Sequence, residues 1–257
     1  MIDHFSPTSL DTLFKCPHRF ELRYNYHKKK PPGIAAYIGR SVDASVNQDL
    51  QNVIDNGILL SQEQIEDIAR DTMNQEWEKE EPLLTKEEKS NKNKVKGECV
   101  DASIKLASLH LQKVAPIIKP KAIQKDWILD LKGYPYTIKG LIDIIEEDSI
   151  RDTKTSKIKK TGAADKSLQL TIYALAGFKI YGKNYKLYLD YLIANKVPVT
   201  DIQPTSRGPK DFEKFFKRLE IAIKFMEAGV FPPCNSELSW WCDPRYCGFF
   251  GTDCEYT

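Results

Sequence analysis

The chain has 257 residues, and its 38 lysine and arginine residues against 36 aspartate and glutamate residues leave a formal net charge of +2. Hydrophobic residues make up 41% of the sequence and charged residues 29%, a balance typical of a globular protein with a sizeable core. This small net charge gives no general sign of a nucleic-acid partner, although a local basic patch is compatible with one. The sequence holds no run of about 18 apolar residues, so we expect no membrane-spanning helix.

The cysteine content bears on the chemistry of the protein. Residues 1–5 contain neither a basic nor an apolar segment, so they do not resemble a secretory signal, and we expect a reducing environment. In such an environment six cysteines indicate a metal or iron–sulfur site more than disulfide bonds.

The first predicted elements are helices. Ser6 as a cap and Pro7 at the first helical position predict a helix that ends at Cys16. A second helix is expected to begin at Gly39, which places Asp43 in its first turn. A negative charge there could simply interact with the helix dipole and have no further role. Further helices are expected at 61–77, 98–114, 168–180 and 211–228, with a mobile loop or a charged helix end at 85–97.

Strands are expected at 122–131, 136–145, 150–155 and 185–194. In a strand, residues i and i+2 share a face, so Asp152 and Lys154 point the same way and Thr153 points the other way. If the second and third strands pair as a hairpin, Asp143 approaches Asp152. Two carboxylates suit Mg²⁺ or Mn²⁺, and a lysine beside them can neutralise charge on a phosphoryl group. The alternative is an ordinary solvated ion pair at a strand end.

The end of the chain carries three cysteines in a C-x4-C-x6-C spacing, among glycine, proline and aromatic residues: Cys242, Cys247 and Cys254. This pattern indicates ligands for Zn²⁺ or a [4Fe–4S] cluster, either of which takes four thiolates. The fourth could be the nearby Cys234 or the distant Cys16. Free buried thiols are the alternative.

Several motifs follow one another in a characteristic order: residues 6–10 and 16–20, the Gly39 helix, residues 140–143, 152–154 and 169–173, and the cysteine tail. In this order the chain resembles the PD-(D/E)XK nuclease superfamily, in the branch with the RecB and AddB nuclease domains, the Cas4 proteins and related phage exonucleases. Each motif is weak alone, and their order makes the resemblance specific.

The resemblance implies an α/β fold with a restriction-endonuclease-like core, that is a central mixed sheet flanked by helices, with an N-terminal helical part. Residues 1–257 would form one domain, with a helical insertion at about 58–118 and a nuclease core at about 119–230. Residues 231–257 would form a cysteine-cluster region together with Cys16. The implied activity is Mg²⁺- or Mn²⁺-dependent cutting of DNA, as single strands or duplex ends, in recombination, repair or phage DNA processing. The implied location is the cytoplasm of a bacterial or phage-infected cell, with a homo-oligomer or a recombination protein as a further partner.

Carried over by residue, the resemblance assigns Asp43, Asp143, Asp152 and Thr153 to the metal site and makes Lys154 the catalytic lysine. Gln169 and Tyr173 match a Q-x-x-x-Y motif beside the active site, and their spacing places them on one helix face. The resemblance also favours a [4Fe–4S] cluster, with zinc as the alternative, and it leaves Cys99 and Cys234 as ordinary thiols. The implied cluster ligands are Cys16, Cys242, Cys247 and Cys254.

Three positions depart from the family pattern. Asp43 stands where a histidine ligand is frequent, Ile142 replaces a proline, and Gln124 replaces a glutamate, which puts a second metal site in doubt. The lysines at 157, 159 and 160 could meet phosphates, or they could belong to a solvated loop. A non-catalytic DNA-binding protein that retains this fold and the cluster is the alternative function. A purely structural zinc protein would leave the central carboxylates and lysine unexplained.

Overall fold

A computed structural model describes residues 2–257. Its sheet has six strands: β1 (His4–Phe5), β2 (Ala122–Leu129), β3 (Thr137–Ile145), β4 (Ser149–Ser156), β5 (Lys186–Ile193) and β6 (Val199–Thr205). The strand order is β1-β3-β4-β5-β6, and β2 pairs with the remaining edge of β3. The β1–β3 and β4–β5 pairs are parallel and the other pairs are antiparallel, so the predicted mixed sheet is confirmed.

Helices cover the sheet. They are α1 (Pro7–Lys15), α2 (Pro17–Phe20), α3 (Ile34–Asn56), α4 (Gln62–Lys79), α5 (Lys86–Ser90), α6 (Lys92–Lys113), α7 (Ala163–Lys166), α8 (Leu168–Tyr181) and α9 (Pro209–Ala228). One core joins α1, α8 and α9 to the sheet, and a second joins α3, α4 and α6 to it. The strand β5 shows the division, because Leu187, Leu189 and Tyr191 enter the first core whereas Leu192 enters the second. The α/β fold with an N-terminal helical region is therefore confirmed.

Local capping chemistry fixes where two of the helices begin. The Ser6 hydroxyl accepts a hydrogen bond from the Ser9 amide at 3.0 Å, and the Ser9 hydroxyl oxygen accepts one from the Ser6 amide at 2.8 Å. Ser61 and Gln64 make the same reciprocal pair at the start of α4. Both helix starts agree with the sequence-based prediction.

The start of α3 was predicted wrongly. Gly33, not Gly39, precedes its first residue, and Gly39 lies inside the helix. A Cβ at Gly39 would lie 3.6 Å from Thr155 Oγ1, so this glycine marks the close approach of α3 to β4 and not a helix end. Asp43 therefore lies in the middle of the helix. The helix dipole acts only on the terminal turns, so it does not explain a charge at this position. The predicted end at Gly57 is confirmed, and its φ of 77° is the left-handed conformation that glycine adopts readily.

Two strands and one helical stretch were not predicted as observed. The strand β1 has only two residues, and β6 has a polar sequence, V-T-D-I-Q-P-T, without clear alternation. Residues 85–97, expected as a loop or a charged helix end, form α5 and the first turns of α6, with Thr85 as the cap of α5. Within residues 2–257 no helix has the length and apolar character needed to cross a bilayer.

The hairpin of β3 and β4 opens immediately after its turn. Only two residue pairs are in register, Ile145 with Ile150 and Ile144 with Arg151. Beyond them β4 continues alongside β5, with Asp152 opposite Leu189, while β3 continues alongside β2. The result is a break in the sheet between β3 and β4, and the next residue on each strand is an aspartate.

Candidate active site

Asp143 and Asp152 are the two aspartates at this break in the sheet. Asp143 is half-buried, and the side chain of Asp152 is only 1% exposed. Burial raises the pKa of Asp143 well above its usual range, and the neighbouring carboxyl group of Asp152 raises it further. The two carboxyl groups are therefore neighbours, as expected from the hairpin.

Lys154 lies on the same face of β4 as Asp152, as the period of a strand predicts. Its Nζ donates a hydrogen bond to Asp152 Oδ1 at 2.7 Å. Burial disfavours the ammonium form, but the nearby Asp152 and Asp143 carboxylates outweigh this effect and raise the Lys154 pKa. The Lys154 side chain is 42% exposed, so the pair reaches from the protein interior to solvent.

Asp43 completes a group of three acidic residues. Burial raises its pKa to about 6, Lys154 opposes this shift and Asp152 adds to it. Solvent still reaches the Asp43 side chain. Asp43 lies near Asp152 and Lys154 because the middle of α3 packs against β4.

Gln124 adds an unexpected contact. Its φ of 45° is left-handed, a conformation that only one other non-glycine residue shares among residues 2–257. Gln124 Nε2 lies 3.4 Å from Asp143 Oδ1 and 3.4 Å from Asn47 Oδ1, so the amide joins β3 to α3. Such backbone strain is common at functional sites. Sequence reasoning missed both the strain and Asn47, since neither carries a local sequence signal.

Gln169 and Tyr173 lie on α8 beside the aspartates. The Gln169 amide donates a hydrogen bond to the Tyr173 hydroxyl oxygen at 2.6 Å, which agrees with their predicted common face. Tyr173 is buried, and burial, followed by the charges of Asp143 and Asp152, raises its pKa. The hydroxyl is therefore a neutral hydrogen-bonding group near the carboxylates.

The donor set of this site fits a hard divalent cation. Asp152 Oδ2 is buried and has no hydrogen-bond partner, and such an orphaned carboxylate oxygen suits Mg²⁺ or Mn²⁺. The Thr153 side chain lies on the other face of β4, with its buried Oγ1 also unpartnered, so only its main chain could face the same ion. As the side chains stand, no three histidine, cysteine or acidic groups within residues 2–257 come close enough to ligate one ion.

The predicted phosphate-contacting lysines occupy different surroundings. Lys159 Nζ lies 3.4 Å from Asp201 Oδ1, an exposed ion pair. Lys157 is exposed on the loop after β4. Lys160 lines a cleft that also contains Lys154 and Gln169.

Five cysteines converge on one cavity, separate from the carboxylates. A small cavity is lined by the four predicted ligands and by Cys234: Cys16, Cys234, Cys242, Cys247 and Cys254. The main-chain amides of Arg19 and Cys234 each donate to Cys16 Sγ at 3.4 Å. Cys99 is buried elsewhere, in the core with α3 and α6. All six cysteines are free thiols.

The protein environment favours the protonated form of two of these thiols, Cys16 and Cys242. Burial raises the pKa of Cys242 to about 11, and the neighbouring Cys234 adds to the shift. Burial also raises the pKa of Cys16. Aromatic rings cover the cavity, with Trp241, Phe249 and Tyr256 among its lining residues. Cys16 and the C-terminal cysteines lie around the same cavity, as expected. Cys234, expected to be an ordinary thiol, also lines this cavity.

The fold and the site together define an α/β protein with paired carboxylates and a lysine at a break in a mixed sheet. Residues 4–252 match the family model of the PD-(D/E)XK nuclease superfamily. The chain belongs to this superfamily, which confirms the resemblance at that level. No curated protein sequence matches the chain significantly.

A solved structure adds support for the fold. A protein from Eubacterium rectale, provisionally described as an exonuclease, superposes with a TM-score of 0.59 at 12% sequence identity. The match covers 93% of this chain and 87% of that chain. At this identity the likeness concerns the arrangement of helices and strands.

Proposed function

We propose that this protein is a metal-dependent DNA exonuclease that hydrolyses phosphodiester bonds at the break between β3 and β4. The observation that carries the proposal is the convergence of Asp143 and Asp152 with Lys154, together with the unpartnered Asp152 Oδ2. Buried acids with raised pKa values beside a cation are typical of catalytic sites.

Each residue has a separate role in this proposal. Asp43, Asp143, Asp152 and the main chain of Thr153 would hold Mg²⁺ or Mn²⁺, which when bound lowers the pKa of water and neutralises phosphoryl charge. Lys154 would donate a hydrogen bond to the phosphoryl oxygens, and its ammonium charge would stabilise the negative charge that develops there. Gln169 and Tyr173 would orient the scissile phosphate, because their linked polar groups lie beside the carboxylates.

The choice of an exonuclease over an endonuclease is supported by the similar solved structure. The Eubacterium rectale protein is provisionally described as an exonuclease, and its fold extends over most of this chain. A polymer end reaches a recessed carboxylate more easily than an internal bond does. The branch with the RecB and AddB nuclease domains and the Cas4 proteins remains our proposal for the subgroup.

We further propose that Cys16, Cys242, Cys247 and Cys254 hold a [4Fe–4S] cluster with a structural role. The sulfur atoms of these four residues line one cavity, and four thiolates are the ligands of such a cluster. The amide hydrogen bonds to Cys16 Sγ suit a thiolate ligand. Metal ligation here would contribute folding free energy, because the site does not exist in the unfolded chain.

The activity is tested with anaerobically purified protein and DNA labelled at either end, as single strands and as duplexes. We expect Mn²⁺- or Mg²⁺-dependent release of short products from an end, with none in EDTA. Asp152→Asn preserves the shape of the side chain and should abolish cleavage, whereas Asp126→Asn on the exposed part of β2 is the matched control. Cleavage that continues in EDTA or in Asp152→Asn would refute the proposal, and binding without cleavage would support the non-catalytic alternative.

A further inference from the structure

A cleft lies on the face of the sheet that carries α1, α8 and α9. Its volume is about 430 Å³, and its lining includes Lys154 and Gln169 of the candidate active site. The lining also includes Phe14 and Lys15 of α1 and Arg218 of α9. The cleft and the candidate active site therefore share two residues and are neighbours on the surface.

The cleft collects positive charge in a chain whose net charge is small. Besides Lys154, its lining contains Lys15, Lys160, Lys166 and Arg218, against the single acid Asp11. Asp11 is already paired with Lys15 at 2.6 Å. Among residues 2–257, no carboxylate lies within 4.0 Å of the charged groups of Lys160, Lys166 or Arg218. Unneutralised cations in a concave surface focus the electrostatic potential and attract anions.

The cleft also presents a flat surface. The guanidinium carbon of Arg218 lies 4.1 Å from the centroid of the Phe14 ring. The ring holds the guanidinium group in place by a cation–π contact. A guanidinium plane is a surface on which nucleic-acid bases stack.

We infer that this cleft binds a single DNA strand and directs it to the carboxylates, an inference that rests on the proposed nuclease function. The cations of Lys160, Lys166 and Arg218 contact backbone phosphates, and the Arg218–Phe14 pair supports a base. A basic groove combined with an aromatic platform is the arrangement that binds single strands without sequence preference. The cleft volume lies in the range of about 300–1,000 Å³ that holds small ligands, which suits a short stretch of one strand better than a duplex.

The test compares two double charge reversals in the full-length protein. Lys166→Glu with Arg218→Glu changes two exposed residues of the cleft, and neither residue belongs to the proposed catalytic machinery. Lys210→Glu with Lys224→Glu makes the same change in net charge on exposed residues of α9 that do not line the cleft. Binding of labelled oligo(dT) and of a blunt duplex is measured by fluorescence anisotropy in EDTA, which stops hydrolysis.

We expect wild type to bind oligo(dT) more tightly than the duplex. The cleft variant should raise the Kd for oligo(dT) about tenfold, and should lower the salt slope of log K by about 1.4, or about 0.7 for each lost phosphate contact. The control variant should change the Kd less than about twofold. If the cleft variant loses its helical circular dichroism, it has not folded and cannot be used. The variant Lys160→Glu, which changes an exposed residue of the cleft, is then compared with wild type.

The outcomes separate this inference from the proposed function. Cleavage by wild type with equal Kd values in both double variants would overturn the cleft and leave the nuclease intact. Strand binding through the cleft without any cleavage would keep the cleft and refute the nuclease. Wild type that binds the duplex more tightly, or binds no single strand, would overturn the inference.

Discussion

Asp152 uses its two carboxylate oxygens differently, because Lys154 Nζ lies 2.7 Å from Oδ1 while Oδ2 is buried without a partner. Replacing the lysine therefore leaves all the carboxylates of the site in place. The Lys154 ammonium and a cation on Oδ2 would lie beside the same carboxylate, so the two positive charges would repel each other. Three of the predictions below concern this site and the cysteine cavity, and two concern the stability of the fold.

Replacing Lys154 with methionine should separate catalysis from metal binding. Loss of one donor that stabilises transition-state charge typically costs about 10²- to 10³-fold in rate, so we expect single-turnover cleavage to fall by that factor. Mn²⁺ affinity, measured by calorimetry, should stay equal or increase, since a repelling positive charge is gone. Asp152→Asn serves as the comparison and should lose both properties. A Lys154→Met protein that cleaves at the wild-type rate would contradict the role of the lysine.

Stabilisation by Mn²⁺ should increase with pH. Burial raises the pKa of Asp43 to about 6 and that of Asp143 well above its usual range. The metal-free folded protein then keeps protons that the unfolded chain releases, so its free energy of unfolding should fall as pH rises from about 4 through 6. Bound Mn²⁺ displaces these protons, so its effect on Tm should be larger at about pH 8 than at about pH 5.

The Asp43→Asn variant is the control for this pH dependence. It removes the group whose pKa lies near 6, so the metal-free Tm should depend less on pH between about 4 and 6 than in wild type. An equal Mn²⁺ shift in Tm at both pH values would show that the aspartates do not bind the ion.

Iron content should distinguish the cysteines. Cys16→Ser should lose the iron and the colour of the anaerobically purified protein, whereas Cys99→Ser should retain both, because Cys99 lies outside the cysteine cavity. Cys234→Ser is expected to retain iron, although Cys234 lies beside Cys16. If Cys234→Ser loses iron and Cys16→Ser retains it, the fourth ligand is Cys234 and not Cys16. One equivalent of zinc in place of iron would replace the cluster by a zinc site.

His110 should make the protein sensitive to acid. Its side chain is buried in α6, where burial, together with the charge of Arg151, lowers its pKa to about 3. The unfolded chain takes up a proton near pH 6.5, so the stability that neutral His110 provides is complete above that pH and decreases as pH falls. We expect a loss of about 2 kcal/mol at about pH 5.

Urea denaturation of His110→Leu tests this expectation. The decrease in unfolding free energy from about pH 7 to 5 should be smaller by about 2 kcal/mol than in wild type. The exposed His27 is the matched control, and His27→Gln should leave the pH dependence unchanged. Parallel pH profiles for wild type and His110→Leu would show that His110 is not responsible.

Two glycine-to-alanine substitutions should have opposite effects on stability. A Cβ at Gly140 would lie 2.8 Å from the Trp127 ring and 3.3 Å from Pro7 Cδ, so Gly140→Ala should cost about 1–3 kcal/mol. Gly97 lies within α6 with nothing within 4 Å of the added Cβ, so Gly97→Ala should stabilise by about 0.5–1 kcal/mol. Equal Tm shifts in the two variants would contradict the close packing at Gly140.

The sequence predicted those parts of the site that depend on local geometry. Asp152 and Lys154 share a face because a strand has a period of two, and Asp143 joins them because a short polar turn closes the hairpin. Gln169 and Tyr173 meet because they are four residues apart on a helix. In each case the signal and the contact lie within a few residues of each other.

Features that depend on tertiary structure were not predictable in this way. The two-residue strand β1 exists only because residues 137 and 138 of β3 offer a free edge. The left-handed conformation of Gln124 and its contact with Asn47 join segments far apart in sequence. Lys166 and Arg218 meet across a cleft although 52 residues separate them, which no pattern along the chain reveals.

The meeting of Cys16 with the C-terminal cysteines has a consequence for the timing of biosynthesis. The His18 amide donates to the Pro232 carbonyl oxygen at 3.1 Å, and Phe5 pairs with Ile138, so the N-terminal segment folds against residues made much later. At translation rates of about 5–20 residues per second, Cys254 follows Cys16 from the ribosome by about 10–50 s. Throughout that interval the emerged Cys16 and the apolar α1 lack their partners, and the proposed cluster could be assembled only after Cys254 had been added.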